Sequence, residues 1–187
     1  EPFTKFELVN PMITKLKNYG RKVLTIKACK VSNGVISVSK YVTNVLSQYK
    51  SIENDKIKTI YHGINKKHKN LLGLEQKNFF FTAGSIRPAR GLEDLILSYS
   101  EINEEYPGIS LMIAGKVDPE MKNYFNYLKD LIMKLNITKK VKWKGHVSNL
   151  DMLSLLSSCK IFFMTSRAEA CPNIALEAMV YSKQIIS

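Results

Sequence analysis

Residues 79–105 read FFFTAGSIRPARGLEDLILSYSEINEE. Phe79 to Ala83 is a short apolar run of strand-forming residues, and Leu92 to Glu105 has the pattern of a helix. Gly84 permits a tight exit from the strand, and Gly91 opens the helix while leaving its backbone open to close approach. The same unit recurs downstream. Ile109 to Ala114, Val141 to Trp143 and Ile161 to Thr165 are strand-like, and Gln184 to Ser187 begins a further strand. Helical stretches at Glu120 to Leu135, Leu150 to Ser158 and Ile174 to Tyr181 lie between them. Strict alternation of strand and helix predicts an α/β domain, a parallel Rossmann-like sheet with helices on both faces. Such sheets bind ligands beyond the carboxyl ends of their strands, which here carry Gly84, Gly115, Gly145 and Ser166.

Upstream, Pro11 to Lys30 is patterned as a helix, with Ile13, Leu16, Val23, Leu24 and Ile26 among lysines. Val35 to Val38 reads as a strand, Lys40 to Tyr49 as a helix, and Ile57 to Tyr61 as a strand closed by His62-Gly63-Ile64-Asn65. The Asn-rich, charged stretch from Lys66 to Lys77 lacks periodicity and reads as a linker. A composition of 45% apolar and 24% charged residues over 187 positions is that of a globular protein. No run approaches the ~18 consecutive apolar residues that a membrane-crossing helix needs.

Cys29, Cys159 and Cys171 are odd in number and lack close metal-ligand spacing, which favours reduced thiols in a cytoplasmic setting over disulfides or a zinc site. The net charge of +12 is concentrated early: residues 1–70 hold 14 Lys/Arg against 4 Asp/Glu, and the remainder 14 against 12. A basic first segment attracts anionic lipid head groups. Without a zinc finger, an RNP-type strand or an Arg-rich base-reading helix, it gives no reason to expect nucleic acid as partner.

Residues 166–179 read SRAEACPNIALEAM. Pro172 suits the first position of a helix, which therefore begins at Pro172 or Asn173. Glu169 stays on the preceding loop, and Glu177 lies about 7–8 Å along the axis from Pro172, at 1.5 Å rise per residue. Between the two carboxylates stands a helix N-terminus, whose unpaired N–H groups and positive dipole end make a seat for phosphate. A carboxylate accepts hydrogen bonds from adjacent hydroxyls, such as those of a hexose or a ribose. Carboxylate, anion seat and carboxylate match sugar, diphosphate and ribose in that order.

The loop after the first strand of this region carries Arg87 and Arg90, three residues apart, both expected to reach the cleft and hold a diphosphate by charge-assisted bonds. Its spacing fits neither the GxxxxGK[ST] phosphate loop nor the GxGxxG dinucleotide fingerprint. A glycoside-hydrolase reading of two carboxylates leaves the arginines and the helix N-terminus without a role. No Asp-x-Asp metal motif is present, and the loop cations can do the work of a divalent ion, so metal independence is expected, with no cofactor.

IKTIYHGIN at 57–65, GSIRPARG at 84–91, KVKWKGHV at 140–147 and EACPNIALEAM at 169–179, in that order and spacing, resemble the family-four retaining glycosyltransferases of GT-B fold. The likeness covers residues 33–187. It implies that residues 1–62 are the end of an N-terminal, acceptor-side domain, 63–77 a linker, and 78–187 the nucleotide-sugar-binding domain, truncated at its C-terminus. It implies that Glu169 contacts hydroxyls of the transferred sugar and Glu177 those of the ribose. Arg90 matches the family's loop lysine, which neutralises the diphosphate. The family has an arginine directly after the first glycine, Gly84; this chain has Ser85 there, and the likeness assigns that part to Arg87. The backbone of Asn173 and Ile174, after Pro172, would cap the diphosphate, and that of His146 and Val147 would meet the base. Cys171 stands at a commonly aromatic position and alters the sugar pocket. His62 and His146 match no catalytic histidine of the family and read as structural or binding residues.

The implied reaction is transfer of a sugar from a nucleotide-diphosphate sugar to a hydroxyl of a glycan or lipid-linked glycan, with retention at the anomeric carbon. Glu169, Arg87 and Arg90 would be its catalytic set. The alternative is a fragment that binds nucleotide sugar without transferring it. The expected location is cytoplasmic, including the inner face of an anionic membrane.

Overall fold

The computed structural model describes residues 11–64, 75–181 and 183–187. These group as two units, 11–63 with Glu169–Pro172, and 64 with 75–168, 173–181 and 183–187. The tetrapeptide Glu169–Pro172, expected with the sheet domain, therefore groups with the first unit; it has neither helix nor strand hydrogen bonding to bind it into the sheet. Most of the expected linker, residues 65–74, lies outside the described residues.

The first unit consists of α1 (Pro11–Val31), β1 (Val35–Ser37), α2 (Lys40–Ser47) and β2 (Ile57–Thr59), with β1 and β2 parallel and Val35 opposite Ile57. Ser39 starts α2 by accepting a hydrogen bond from the Val42 N–H, as an N-cap serine does. The buried Ser37 hydroxyl bonds Thr43, and Thr43 bonds Thr59 at 2.6 Å, so the polar groups at the strand ends satisfy one another.

The second unit runs β3 (Phe79–Ala83), α3 (Leu92–Glu105), β4 (Ser110–Ala114), α4 (Lys122–Lys134), β5 (Val141–Gly145), α5 (Asn149–Ser158), β6 (Ile161–Phe163), α6 (Asn173–Val180) and β7 (Gln184–Ile186). Its sheet has the order β5-β4-β3-β6-β7, and every pairing is parallel. This is the expected α/β fold. Phe79, Phe80, Phe81 and Thr82 are all buried, as the central strand of a sheet covered on both faces requires. Phe80 joins Ile96, Tyr99, Leu111, Tyr124 and Leu128 in the core under α3 and α4. Phe79 and Phe81 pack with Leu156, Phe162 and Ala178 under α5 and α6. The Tyr99 hydroxyl donates to the Ile109 carbonyl at 2.7 Å, and burial pushes its pKa up to about 12. At one end of the sheet β5 exposes Lys142 and Lys144.

The chain passes from β3 through α3 to β4 and through α4 to β5, then returns through α5 to lay β6 on the other side of β3. The switch in direction falls between β3 and β6, and a crevice opens there at the carboxyl ends. Glycines allow the strand ends to close up. The Gly84 N–H bonds the Ala114 carbonyl at 3.0 Å, and the Gly115 N–H bonds the Gly145 carbonyl at 2.8 Å. A Cβ on Gly115 would stand 1.8 Å from the Gly84 carbonyl oxygen, whereas one on Gly108 would meet nothing within 4 Å. Because backbone cannot yield as a flexible side chain does, Gly115→Ala is expected to cost about 1–3 kcal/mol of stability. Gly108→Ala should stay within ~0.5 kcal/mol of wild type. Urea unfolding of both variants checks this, and equal midpoints would contradict it.

Candidate functional site

Thr82, Gly84, Arg90, Ala114, Thr165 and Ser166 line the crevice at the switch point. Arg90 is its cation. The residue closes a 3-10 turn, Pro88–Arg90, and its side chain lies against Gly84, where a Cβ would come within 3.0 Å of Nε. Arg90 Nη1 donates to Ser166 Oγ at 3.0 Å, and the Thr165 hydroxyl donates to the Arg90 carbonyl at 2.9 Å. Gly91 follows with φ of +60°, and a Cβ there would stand 2.2 Å from the Thr165 carbonyl oxygen. Glycine is required on both counts, for the left-handed backbone and for the approach of the β6 end.

Arg87 sits differently from Arg90. It stands in extended backbone before the turn, is exposed, and donates from Nε to Ser85 Oγ at 2.8 Å. Of the two arginines expected in the cleft, Arg90 lines the crevice and Arg87 lies outside its lining.

Helix α6 begins at Asn173, directly after Pro172, as the proline predicts. Asn173 is exposed, while Ile174 packs into the core beneath α6. Glu177 is half-buried in the second turn, and burial raises its carboxyl above the ordinary range. His146 is exposed and Val147 half-buried, just past Gly145, whose φ is +63°. Glu169, Cys171 and Pro172 are half-buried and belong to the other unit, to which the exposed His62 also belongs.

The sequence reading missed Arg167. Its Nη1 donates to the Pro88 carbonyl at 2.7 Å and its backbone N–H to the Ala89 carbonyl at 2.9 Å. Its Nη2 pairs with Asp94 at 2.8 Å and with Glu93 at 3.7 Å. Glu93 in turn accepts from the Tyr124 hydroxyl at 2.7 Å. Only a local signal was available for these contacts, namely two carboxylates in the first turn of a helix, where they are common. Their partner lies 73 residues away in sequence from Asp94. Among the described residues, no three of His, Cys, Asp and Glu cluster as metal ligands would, and no helix is long and apolar enough to cross a membrane.

The fold is shared with known proteins. The structure of HepE of Anabaena, in complex with UDP and glucose, superposes with a TM-score of 0.75 at 21% identity, over 89% of this chain and 47% of that one. An uncharacterized glycosyltransferase of Methanocaldococcus jannaschii is 28% identical over 87% of this chain and 43% of its own length. The O-antigen chain mannosyltransferase RfbU of Salmonella typhimurium is 23% identical over 87% of this chain and 43% of its own. The chain thus spans less than half the length of these relatives. Residues 63–187, which contain the whole switch-point crevice, match the family described as Glycosyl transferases group 1, and the chain belongs to that family.

Proposed function

We propose that this chain binds a nucleotide-diphosphate sugar and serves its transfer to a hydroxyl of a glycan or lipid-linked glycan, with retention at the anomeric carbon. The observation that carries the reading is Arg90 at the β3–β6 switch point, bonded to Ser166 and seated over Gly84. A guanidinium in a crevice at that place in a parallel sheet suits a diphosphate. In the transfer the bond from the anomeric carbon to the diphosphate breaks and a bond to the acceptor oxygen forms, while the acceptor hydroxyl passes its proton to the departing diphosphate. Negative charge builds on the departing diphosphate. Arg90, with the N-terminal N–H groups of α6 at Asn173 and Ile174, stabilises that charge without reorganising, while Arg87, outside the crevice lining, would have to turn inward to add to it. Glu177 is assigned to the ribose hydroxyls, the backbone of His146 and Val147 to the base, and Glu169 with Cys171 to the sugar. The cations make transfer independent of a divalent metal. The excess of ten positive charges in residues 1–70 fits an approach to an acceptor at an anionic lipid surface on the cytoplasmic side.

A second reading is donor binding without transfer, since every residue that lines the crevice belongs to one unit. Calorimetry with UDP, GDP and ADP sugars, followed by an assay for glycosylated product, separates the two. Binding with turnover supports the enzyme, binding alone supports donor binding without transfer, and absence of binding sinks both. Chelation by EDTA is expected to leave donor affinity unchanged.

Loss of a charged hydrogen-bond acceptor of a buried ligand group costs about 1.5–3 kcal/mol. Glu177→Ala should therefore weaken the free nucleoside diphosphate at least tenfold, whereas Glu169→Ala should spare it and weaken the sugar conjugate. Equal losses of both ligands in both variants would reverse the assignment.

The ionised Glu177 carboxylate accepts from hydroxyls more strongly than the neutral acid does. Because burial raises its pKa, affinity is full well above that pKa and declines as pH falls through it, starting at higher pH than for an ordinary glutamate. Glu177→Gln should flatten that limb when the two affinity profiles are compared over the same pH range.

A further inference from the structure

Three successive carbonyls of the Pro88–Arg90 turn accept hydrogen bonds from one short segment of chain beyond β6. The Arg90 carbonyl takes the Thr165 hydroxyl, the Ala89 carbonyl takes the Arg167 N–H, and the Pro88 carbonyl takes Arg167 Nη1. Between Thr165 and Arg167 stands Ser166, whose hydroxyl accepts from the Arg90 side chain. The crevice cation is therefore held at its backbone and at its guanidinium by residues 165–167, and Arg167 supplies two of the four bonds.

The charge of Arg167 is already committed. Asp94 at 2.8 Å and Glu93 at 3.7 Å face its guanidinium, and the side chain of Arg167 is only 26% exposed. Glu93 is itself held from behind by the hydroxyl of Tyr124 in α4, a fully buried residue. A cation neutralised by two carboxylates makes a poor ligand for an anion, but a good tether. Only arginine can serve here, because a planar fork of donors reaches a carbonyl on one side and carboxylates on the other at once, which an ammonium on a flexible stem does not reproduce.

We infer that Arg167 is a positioning residue for Arg90: anchored by Asp94 and Glu93, its fork fixes the Pro88–Arg90 turn so that the Arg90 guanidinium stays at Ser166 over Gly84, set for a diphosphate. Resting on the reading of Arg90 as the diphosphate ligand, this assigns to Arg167 no contact with the donor.

The test is the ratio of diphosphate to monophosphate affinity, measured by calorimetry on the full chain with UDP and UMP, GDP and GMP, and ADP and AMP. Arg90→Ala should lower the ratio about tenfold for the preferred base, the effect of one charge-assisted contact. Arg167→Leu should lower it by a similar factor while monophosphate affinity holds, and Arg167→Lys, which keeps the charge without the fork, by about threefold. The double variant Arg90→Ala/Arg167→Leu should lose no more than Arg90→Ala alone, since the second residue acts through the first. Should Arg167→Leu fail to fold, Arg167→Lys carries the same comparison. A wild-type ratio in the Arg167 variants, additive losses in the double variant, or equal loss of mono- and diphosphate would each overturn the inference while leaving Arg90 in place as ligand. No preference for diphosphate in the wild-type chain with any of the three bases would overturn the donor reading itself, and the role of Arg167 with it.

Discussion

Strand β3 has hydrogen-bonded neighbours on both edges and apolar partners on both faces, and the rest of the larger unit follows from that. A strand so enclosed can be satisfied only by a sheet wide enough to flank it and by helices enough to cover it twice. Phe80 on one face and Phe79 with Phe81 on the other draw α3 and α4 to one side and α5 and α6 to the other. Parallel pairing sends every connection across a face, so the chain must reverse its direction of travel once to use both. The reversal leaves the strand ends of β3 and β6 side by side with their loops diverging, and the crevice is the space between those loops.

Local chemistry made much of this legible. The extents read for β3 and α3 match the structure residue for residue, because a phenylalanine run and a glycine before a helix are signals carried within the segment. Strand β6 was read as far as Thr165 and stops at Phe163. The two residues beyond it are apolar or β-branched and look like strand, but Thr165 is drawn to the Arg90 carbonyl 75 residues away. Helix α4 likewise starts at Lys122, later than read, since Pro119–Met121 takes a 3-10 turn ahead of it.

The candidate site divides along the same line. Arg90, Gly84 and Ser166 were visible from their positions at strand ends, where the fold class says a ligand should lie. What set Arg90 apart from Arg87 was the 3-10 turn at Pro88, a conformation that three residues of sequence do not announce. Arg167 was visible as a residue and invisible as a tether, because its partners Pro88, Asp94 and Glu93 become neighbours only once β3 and β6 pair. Glu169 and Glu177, eight positions apart in one motif, fall in different units, so closeness in sequence was no guide to which unit each belongs to.

The lysines of β5 have a meaning apart from any ligand. An end strand offers a row of unpaired backbone groups, and the VKWKG segment is apolar enough at Val141 and Trp143 to invite another sheet to add to it. A second molecule docking there would bring charge against Lys142 and Lys144, which stand exposed along that edge. The strand therefore carries its own gatekeepers, and the protein should resist edge-to-edge aggregation most strongly in low salt, where the repulsion is least screened.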